Sequence, residues 1–400
     1  MIGAGITGSL VAQRLGRLGW RVTVIEGATV GAGSSSRTAA GIRQQFSTPE
    51  TVMGMRYSVS AYRQFPAQVE GSSVPIVQNG YLFLLATQDA VDAARARVVM
   101  QHRCGLIEVE LLEGHALAER FPWVERRAVL AATWCPSDGF LHPAVVYNDA
   151  MADAVRLGAR LVQHAPVVGA THRNGRIVEV HTAKGNFAAD LFIDATNAWS
   201  PRLAVALGGT VLPIAPLKRY LWFAERAGSM SAEQLAAMPL TIGPDGAYCR
   251  PENKESMLMG WAHDARPEPE FTYDDQDRIE PDFFHKTGPD SKAYEAWGNL
   301  AEVIPALGEF GGITATTSGY YATTPDHNPF MGYDPACPNL LRLAGFSGHG
   351  AMFGPFTARV AEALADAGRD LPSVELLGHD VSLDAFRIGR VYRHAERLVI

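Results

Sequence analysis

The sequence lacks any long apolar run. Its best stretch, residues 205–217, is short and is interrupted by glycine and proline, whereas a membrane-spanning helix needs about 20 mostly apolar residues. An excess of positive charge is absent as well, because the formal net charge is −7. We therefore expect neither a membrane span nor a nucleic-acid partner.

Cysteine is scarce, and its spacing argues against two kinds of site. The four cysteines lie far apart and form no C-x-x-C pair: Cys104, Cys135, Cys249 and Cys337. Zinc sites and disulfide frameworks usually show regular cysteine spacing, so we predict no metal and no disulfides. A reducing, cytoplasmic location is the expectation that follows.

Glycine, by contrast, is abundant, and one cluster stands at the N-terminus. The motif GAGITG at residues 3–8 opens a helix that Gly19 ends, and residues 22–26 form a buried parallel strand that ends in Glu26. Glycines at this spacing allow a tight turn, close approach to a pyrophosphate and tight helix packing, while the acid can accept from ribose hydroxyls. The segment predicts a site for an adenine dinucleotide, and the acid disfavours the 2′-phosphate of NADP.

The first strand and the first helix carry two further expectations. Only two residues precede Gly3, although a strand of about five residues is expected there, so we expect a short apolar run to be encoded upstream. The helix is predicted to bury the apolar residues Leu10, Val11, Leu15 and Leu18.

Helical and strand patterns continue along the chain. Helices are predicted from a capping box at residues 47–50, at 89–102, at 143–157 and after Gly350, where Phe353, Phe356, Val360 and Leu364 share one face. Strands are predicted at 191–194, 212–224, 247–249, 256–261 and 340–344, with a hairpin over 167–182 that turns at Asn174-Gly175. The acidic, proline-containing stretch 264–282 is predicted to be a solvated excursion.

These patterns predict an α/β fold with an α+β second domain. Parallel-sheet segments lie at both ends and in the middle, and antiparallel segments are inserted between them. The expected nucleotide-binding domain, of Rossmann type with a mainly parallel sheet, comprises residues 1–80, 140–208 and 312–400. The expected substrate domain, with an antiparallel sheet, comprises residues 81–139 and 209–311.

Five motifs together resemble the FAD-dependent D-amino-acid-oxidase-like family, which includes sarcosine oxidases, glycine oxidase and dimethylglycine dehydrogenases. They are GAGITG with Glu26, SSSRTAAGIRQQF at 34–46, DATNAWS at 194–200, YYATTPDHNPFMG at 320–332 and GFSGHG at 345–350. The resemblance implies that the loop at 34–46 and GFSGHG flank the isoalloxazine ring of FAD, and that the inserted sheet covers the substrate side. One departure, Asn197 at a usual glycine position, has no explanation in the sequence.

The resemblance also implies which residues hold the cofactor. They are Gly3, Gly5, Ile6, Thr7, Gly8, Glu26, Ser34, Ser35, Arg37, Thr38, Ala40, Gly41, Val168, Thr196, Trp199, Gly345, Ser347, Gly348, His349, Gly350, Ala351 and Met352.

Four residues are similar to family residues on the substrate side. Arg43 stands where sarcosine-oxidase-like members place an arginine for the substrate carboxylate, and a guanidinium suits that anion. Tyr248 resembles a substrate-facing tyrosine of glycine oxidase, Tyr321 falls on a cavity-lining position, and His349 resembles a histidine beside the flavin. The alternatives are a surface arginine, two core tyrosines and a structural histidine in a turn.

Other positions depart from the family pattern. Tyr321 replaces the carboxylate-binding arginine of glycine oxidase, and Met352 replaces a lysine of monomeric sarcosine oxidase. Leu258 aligns near the oxygen-activating lysine of that enzyme. Gly319 and Thr38 stand where relatives carry a flavin-linking cysteine or histidine, so we expect FAD to be bound non-covalently.

The resemblance implies an FAD-dependent oxidoreductase that oxidises the C–N bond of a small amino acid or secondary amine. Candidate substrates are sarcosine-like, cyclic or opine-type, with hydride transfer to flavin N5 and oxygen, a quinone or an electron-transfer protein as acceptor. The alternative is a non-catalytic flavin-binding subunit or assembly factor. A third possibility, an NAD-dependent dehydrogenase, is disfavoured by the GFSGHG segment.

Overall fold

The computed structural model of the chain describes residues 1–226, 230–261, 291–392 and 395–398. The predicted solvated excursion at 264–282 lies outside the described residues. Within the described part, the helices are α1 Ile6–Arg17, α2 Pro49–Arg63, α3 Phe65–Gln68, α4 Gln88–Arg103, α5 Gly114–Arg120, α6 Pro143–Arg156, α7 Ser200–Leu207, α8 Ala232–Ala237, α9 Lys292–Val303 and α10 Gly350–Ala367. None of these described helices is long and apolar enough to cross a bilayer.

The strands of the described part follow in chain order. They are β1 Thr23–Ile25, β2 Gly41–Ile42, β3 Ile76–Val77, β4 Tyr81–Leu85, β5 Glu110–Glu113, β6 Ala131–Cys135, β7 Gly139–Leu141, β8 Arg160–Val162, β9 Gly169–Arg173, β10 Arg176–Thr182, β11 Gly185–Ala188, β12 Phe192–Asp194, β13 Ala215–Glu225, β14 Leu240–Ile242, β15 Ala247–Pro251, β16 Ser256–Trp261, β17 Gly312–Thr323, β18 Phe330–Tyr333, β19 Leu340–Ala344, β20 Ser373–Leu376 and β21 His379–Ser382.

A mainly parallel sheet forms the first layer. β1 pairs with β8 and β12 pairs with β19, both in parallel, and β18 adds an antiparallel edge. Ile2 joins the two pairs, because it forms parallel bridges to Ile25 on one side and to Asp194 on the other. The short segment before Gly3 therefore occupies the centre of a Rossmann-type sheet.

The hairpin predicted over residues 167–182 is confirmed. β9 and β10 pair antiparallel, and Asn174 and Gly175 at the turn have φ angles of 52° and 75°. Two successive residues with positive φ are typical of the tight type I′ turn that matches the twist of a hairpin.

Helices α1 and α10 pack against each other beside the first layer. The predicted apolar face of α10 is confirmed, since Phe353, Phe356, Val360 and Leu364 all lie in the largest apolar core. The prediction for Leu18 is wrong, because α1 ends at Arg17 and Leu18 is 51% exposed.

Helix α2 begins at Pro49, as predicted, but the expected capping box does not form. Thr48 is the N-cap residue, and its hydroxyl donates to the hydroxyl of Thr51 at 2.8 Å instead of accepting from a backbone N–H. The Ser47 N–H donates to both carboxylate oxygens of Glu396, at 3.1 and 3.0 Å. A long-range contact therefore takes the place of the local cap.

An eight-stranded sheet forms the second layer, in the order β17-β13-β16-β15-β14-β4-β6-β5. All neighbours are antiparallel except β14 and β4. β17 was expected in the nucleotide-binding domain, but it pairs with β13 along its whole length, so residues 312–323 belong to this sheet. The other domain boundaries stay a prediction.

The two faces of the eight-stranded sheet have different roles. One face packs on α9 and builds a separate apolar core around Trp222 and Leu300. The other face, here called the inner face, carries Tyr81, Tyr248 and Leu258 in a smaller cluster. The inner face bounds the space between the two layers.

Candidate active site

A cavity of about 860 Å³ lies between the two layers. Its walls are the N-terminus of α1, the end of β1, the loop after β12, the start of α10 and the inner face of the eight-stranded sheet. The volume is in the range usual for cofactor sites, about 300–1,000 Å³. The carboxyl ends of the parallel strands meet here, which is where open α/β sheets bind nucleotides.

The backbone of the N-terminal motif is shaped for close approach of a phosphate group. Gly3 has a φ of +100°, and a Cβ there would lie 2.7 Å from the carbonyl oxygen of Ala195. A Cβ on Gly8 would lie only 2.1 Å from the carbonyl oxygen of Gly3, so α1 packs directly on the preceding segment. Gly5, the N-cap of α1, lines the cavity, and the first turn holds no acidic residue. The positive end of α1 therefore suits the pyrophosphate of a dinucleotide.

Glu26 lies at the end of β1 and lines the same cavity. Its Oε2 accepts from the Ala4 N–H and its Oε1 accepts from the Ala28 N–H, both at 2.8 Å. Two backbone donors thus fix the carboxylate, and its remaining lone pairs can accept from ribose hydroxyls.

The loop after β12 is anchored by a buried ion pair. Arg342 donates to the Asp194 carboxylate at 2.9 Å, and the same carboxylate accepts from the Thr196 hydroxyl at 2.6 Å. Asn197 follows with a φ of +49°, and its Oδ1 accepts from the N–H groups of Gly345 and the next residue at 3.0 and 3.2 Å. Asn197 therefore adopts a glycine-like conformation, and its side chain also ties this loop to GFSGHG.

The structure brings most of the predicted cofactor residues together. Those that line the large cavity are Gly3, Gly5, Ile6, Thr7, Glu26, Ser34, Ser35, Arg37, Thr38, Val168, Thr196, Trp199, Gly348, Gly350 and Ala351. Four others line a smaller adjoining cavity: Ala40, Gly41, His349 and Met352. Gly8, Gly345 and Ser347 line neither, and the last two instead hold positive φ angles of +82° and +48°.

Residues 1–364 match the family model described as DAO, FAD-dependent oxidoreductase. The chain belongs to this family. It is an FAD-dependent oxidoreductase. Several of its relatives are named as enzymes of amino acids or amines, among them glycine oxidase and dimethylglycine dehydrogenase. The glycine turn, the fixed Glu26 carboxylate and the N-terminus of α1 fit the adenine dinucleotide of this cofactor.

Relatives in the DAO family match nearly the whole chain. FAD-dependent oxidoreductase domain-containing protein 1 from Bos taurus is 27% identical over 98% of this chain and 84% of its own length. Glycine oxidase from Geobacillus kaustophilus is 23% identical and covers 92% of each chain. The crystal structure of L-proline dehydrogenase from P. horikoshii has a TM-score of 0.79 at 29% identity and covers 94% of each chain.

In this DAO-family fold, Arg43 is fully buried and lines the smaller cavity. Its Nη1 donates to the Gln45 carbonyl at 2.5 Å, and its Nη2 donates to the Leu398 carbonyl. The guanidinium carbon lies 4.0 Å from the centre of the Phe46 ring. Burial lowers the pKa of Arg43, but a guanidinium stays charged near neutral pH. Arg43 is therefore a buried cation and not a surface arginine.

His349 is a partner of Arg43. Its Nε2 lies 3.2 Å from Arg43 Nη2, and because a guanidinium can only donate, Nε2 is the acceptor. The His349 pKa lies well below its usual value, first because of burial and then because of the nearby Arg43 and His327 charges. A neutral His349, protonated on Nδ1, fits this arrangement and positions the arginine.

Asp138 holds the backbone next to Arg43. Its Oδ1 accepts from the Gln44 N–H and from Gln44 Nε2, both at 2.9 Å, and its Oδ2 accepts from Gln45 Nε2 at 3.2 Å. Burial raises the pKa of Asp138 to about 6, although these hydrogen bonds act in the opposite direction. The Asp138 charge in turn favours the charged form of Arg43.

Tyr248 and Tyr321 lie as a pair between the two cavities, and both line each of them. Burial raises the pKa of each hydroxyl, so both stay protonated at neutral pH. The Tyr321 ring lies over Gly348, where a Cβ would come within 2.4 Å of the ring. The second glycine-rich loop therefore sets the position of this tyrosine.

The last described segment of the chain, residues 395–398, packs against the smaller cavity. The Leu398 carbonyl accepts from Arg43, and the Leu398 side chain packs on the apolar cluster that includes Tyr81 and Tyr248. The smaller cavity that remains has a volume of about 30 Å³. That volume has room for only about one or two water molecules.

The predicted departures from the family pattern also have a place in the structure. Leu258 is buried in the apolar cluster of the inner face, and Met352 lines the smaller cavity. A Cβ on Gly319 would lie 2.6 Å from the Arg37 carbonyl oxygen, so this position has no room for a linking side chain. The Thr38 hydroxyl accepts a local N–H at 3.0 Å.

Asp138 and Arg219 are among the residues of this site that sequence reasoning missed. Asp138 lies in a short turn without any motif, about ninety positions after the Gln44 and Gln45 that it contacts, so no local pattern marks it. Arg219 lies on β13 and lines the large cavity with Tyr321. Strand alternation could have placed Arg219 on the same face as Leu221, but only the pairing of β13 with β17 shows what that face meets.

Proposed function

We propose that the protein oxidises the C–N bond of a small amino acid or secondary amine, with Arg43 binding the substrate carboxylate. The substrate is sarcosine-like, cyclic or opine-type. The observation that carries the proposal is a buried guanidinium in a cavity that shares Tyr248, Tyr321 and Gly348 with the FAD cavity. A guanidinium fork matches the two oxygens of a carboxylate.

The residues of the chain bind the substrate and provide an oriented electric field around the reacting atoms. When bound, FAD accepts at N5 the hydride equivalent that leaves the substrate carbon. α10 begins at Gly350, lines the cavity there, and has no acidic residue in its first turn. Its positive end favours the negative charge that develops at the flavin edge. The substrate carboxylate replaces the Leu398 carbonyl at Arg43, so residues 395–398 move as substrate binds.

The described lining of the smaller cavity offers no side-chain base to the substrate amine. His349 Nε2 accepts from Arg43, and Tyr248 and Tyr321 stay protonated because burial raises the pKa of both hydroxyls. The amine must therefore be neutral when it reacts, so the rate of flavin reduction rises with pH.

The rate of flavin reduction without oxygen, measured between acidic and alkaline pH, tests this mechanism. N-methyl, cyclic and opine-type amino acids are the substrates to compare. We expect one of them to bleach the yellow protein, faster at higher pH. A rate that is flat across the pH range contradicts reaction through the neutral amine.

We propose in addition that the electron acceptor is a quinone or an electron-transfer protein. Leu258 aligns near the oxygen-activating lysine of monomeric sarcosine oxidase, and it is buried among apolar side chains. Readmitting air to the reduced protein tests this point. Slow recolouring agrees with the proposal, and fast recolouring identifies an oxidase.

A second candidate function is a flavin-binding subunit or assembly factor without turnover. The observation that favours it is the closed substrate side, where the Leu398 carbonyl is bonded to Arg43 and about 30 Å³ remains. Under this alternative no amine bleaches the flavin, even after residues 395–398 are removed.

A further inference from the structure

We propose that Arg219 is a second anion-binding residue of the site and that the substrate is a secondary amine with a carboxylate on each arm. This inference rests on the proposed function, because it assigns the first carboxylate to Arg43. The second carboxylate then belongs to Arg219, on the other side of the Tyr248–Tyr321 pair.

The strand register places Arg219 beside this tyrosine pair. Arg219 on β13 lies directly opposite Gly319 on β17, and Tyr321 is two residues further along β17 on the same face. A long side chain reaches such a diagonal neighbour, and the guanidinium carbon of Arg219 lies 5.6 Å from the centre of the Tyr321 ring. Leu221, two residues after Arg219, also lines the large cavity.

The two arginines approach the tyrosine pair from different cavities. Arg219 lines the cavity of about 860 Å³, whereas Arg43 lines the cavity of about 30 Å³. Both positive charges act on the Tyr321 hydroxyl. Burial raises the pKa of this hydroxyl, and Arg219 and Arg43 each act to lower it. One hydroxyl group is thus within electrostatic reach of both guanidinium groups.

This arrangement matches a ligand with two anionic ends. Residues 348 and 351 line both cavities, so an amine near the start of α10 has one cavity on each side. A carboxylate on one arm meets Arg43, and a carboxylate on the other arm meets Arg219. Arginine suits both ends because its planar fork binds a carboxylate with two parallel hydrogen bonds.

Binding of two thioether probes to the FAD-loaded protein tests the inference without turnover. Thiodiacetate carries two carboxylates, methylthioacetate carries one, and neither has an amine to oxidise. Calorimetric titration and the change in the flavin spectrum give the dissociation constants. We expect the wild-type protein to bind thiodiacetate about ten- to a hundredfold more tightly, the usual effect of one more charge-assisted hydrogen-bonded pair.

Variants distinguish the two proposed carboxylate-binding residues, Arg43 and Arg219. Arg219→Met should remove the preference for thiodiacetate and leave methylthioacetate binding within about twofold, whereas Arg43→Met should weaken both probes. Arg219→Lys should restore part of the preference, because it keeps the charge. Arg226→Met is the matched control, since Arg226 follows β13 and pairs with Glu255 at 2.7 Å outside both cavities.

Three results overturn the inference. Equal binding of the two probes by the wild-type protein excludes a second anion site. If Arg219→Met weakens the binding of both probes equally, Arg219 has a structural role in the fold. If the variant shifts the flavin reduction potential and leaves probe binding unchanged, Arg219 acts on the flavin. If monocarboxylate amines bleach the protein while thiodiacetate has no advantage, the proposed function stands and only this inference fails. If neither probe binds and no amine bleaches the flavin, both fail.

Discussion

Replacing Asp138 by Asn tests the buried network behind Arg43. Asp138 is fully buried, and its pKa is raised from 3.8 to about 6, mainly by burial. In the pH range between these two values the folded protein binds a proton that the unfolded chain has released. The contribution of Asp138 to stability is therefore fully present below pH 3.8 and is lost as the pH rises through 6.

The size of this effect follows from the two pKa values. The full difference between the two pKa values corresponds to about 3 kcal/mol in the free energy of unfolding. About 1.4 kcal/mol of this stability is lost between pH 5 and pH 8. For a chain of this length that loss lowers the melting temperature by roughly 2 °C. The new amide can still accept from the Gln44 N–H. Gln45 Nε2 faces Asp138, so turning over the Gln45 amide brings Gln45 Oε1, which has no partner among the described residues, to the new NH2 group as an acceptor. The variant should therefore fold while losing this pH dependence.

Thermal unfolding of the FAD-loaded wild type and Asp138→Asn at pH 5 and pH 8 provides the assay. Between pH 5 and pH 8, the melting temperature of the wild type should fall by about 2 °C more than that of the variant, because the other titrating groups are common to both proteins. Asp92→Asn, at an exposed carboxylate, is the control and should behave like the wild type. Identical pH dependence in wild type and Asp138→Asn would refute the account of this buried carboxylate.

Two further predictions concern the cofactor motif and the closing segment. Gly8→Ala places a Cβ 2.1 Å from a backbone oxygen, so we expect loss of FAD binding by equilibrium dialysis. Gly16→Ala should retain binding, because its Cβ would be in ordinary van der Waals contact, 3.4 Å from Leu157 Cβ. Removing residues 395–398 frees Arg43 from the Leu398 carbonyl, so methylthioacetate should bind up to about tenfold more tightly in a titration. Weaker binding after the removal would instead show that residues 395–398 form part of the binding pocket.

Features that depend on neighbouring residues could be predicted from the sequence. The glycine turn with Glu26 at the strand end, the α4 helix and the hairpin at Asn174-Gly175 follow from local spacing and local conformational preference. The apolar face of α10 follows from its periodicity alone. These elements needed no knowledge of the rest of the chain.

Features that depend on long-range pairing could not be predicted from the sequence. β17 looks like a neighbour of the C-terminal Rossmann elements in sequence, but its partner β13 lies about a hundred residues earlier. The capping box at residue 47 failed because Glu396, from the far end of the chain, supplies the acceptor for the Ser47 N–H. Arg219 and Asp138 join the site for the same reason, since only tertiary packing brings them to it.

The central claim, oxidation of a carboxylate-bearing amine with Arg43 as its anchor, is tested most directly by one anaerobic experiment. The visible spectra of the FAD-loaded wild type and Arg43→Met are recorded before and after addition of N-methyl, cyclic and opine-type amino acids. We predict that at least one of them bleaches the wild type, and that the variant stays yellow or needs about ten- to a hundredfold more substrate. A wild type that none of them bleaches, or a variant that is bleached as readily as the wild type, contradicts the claim.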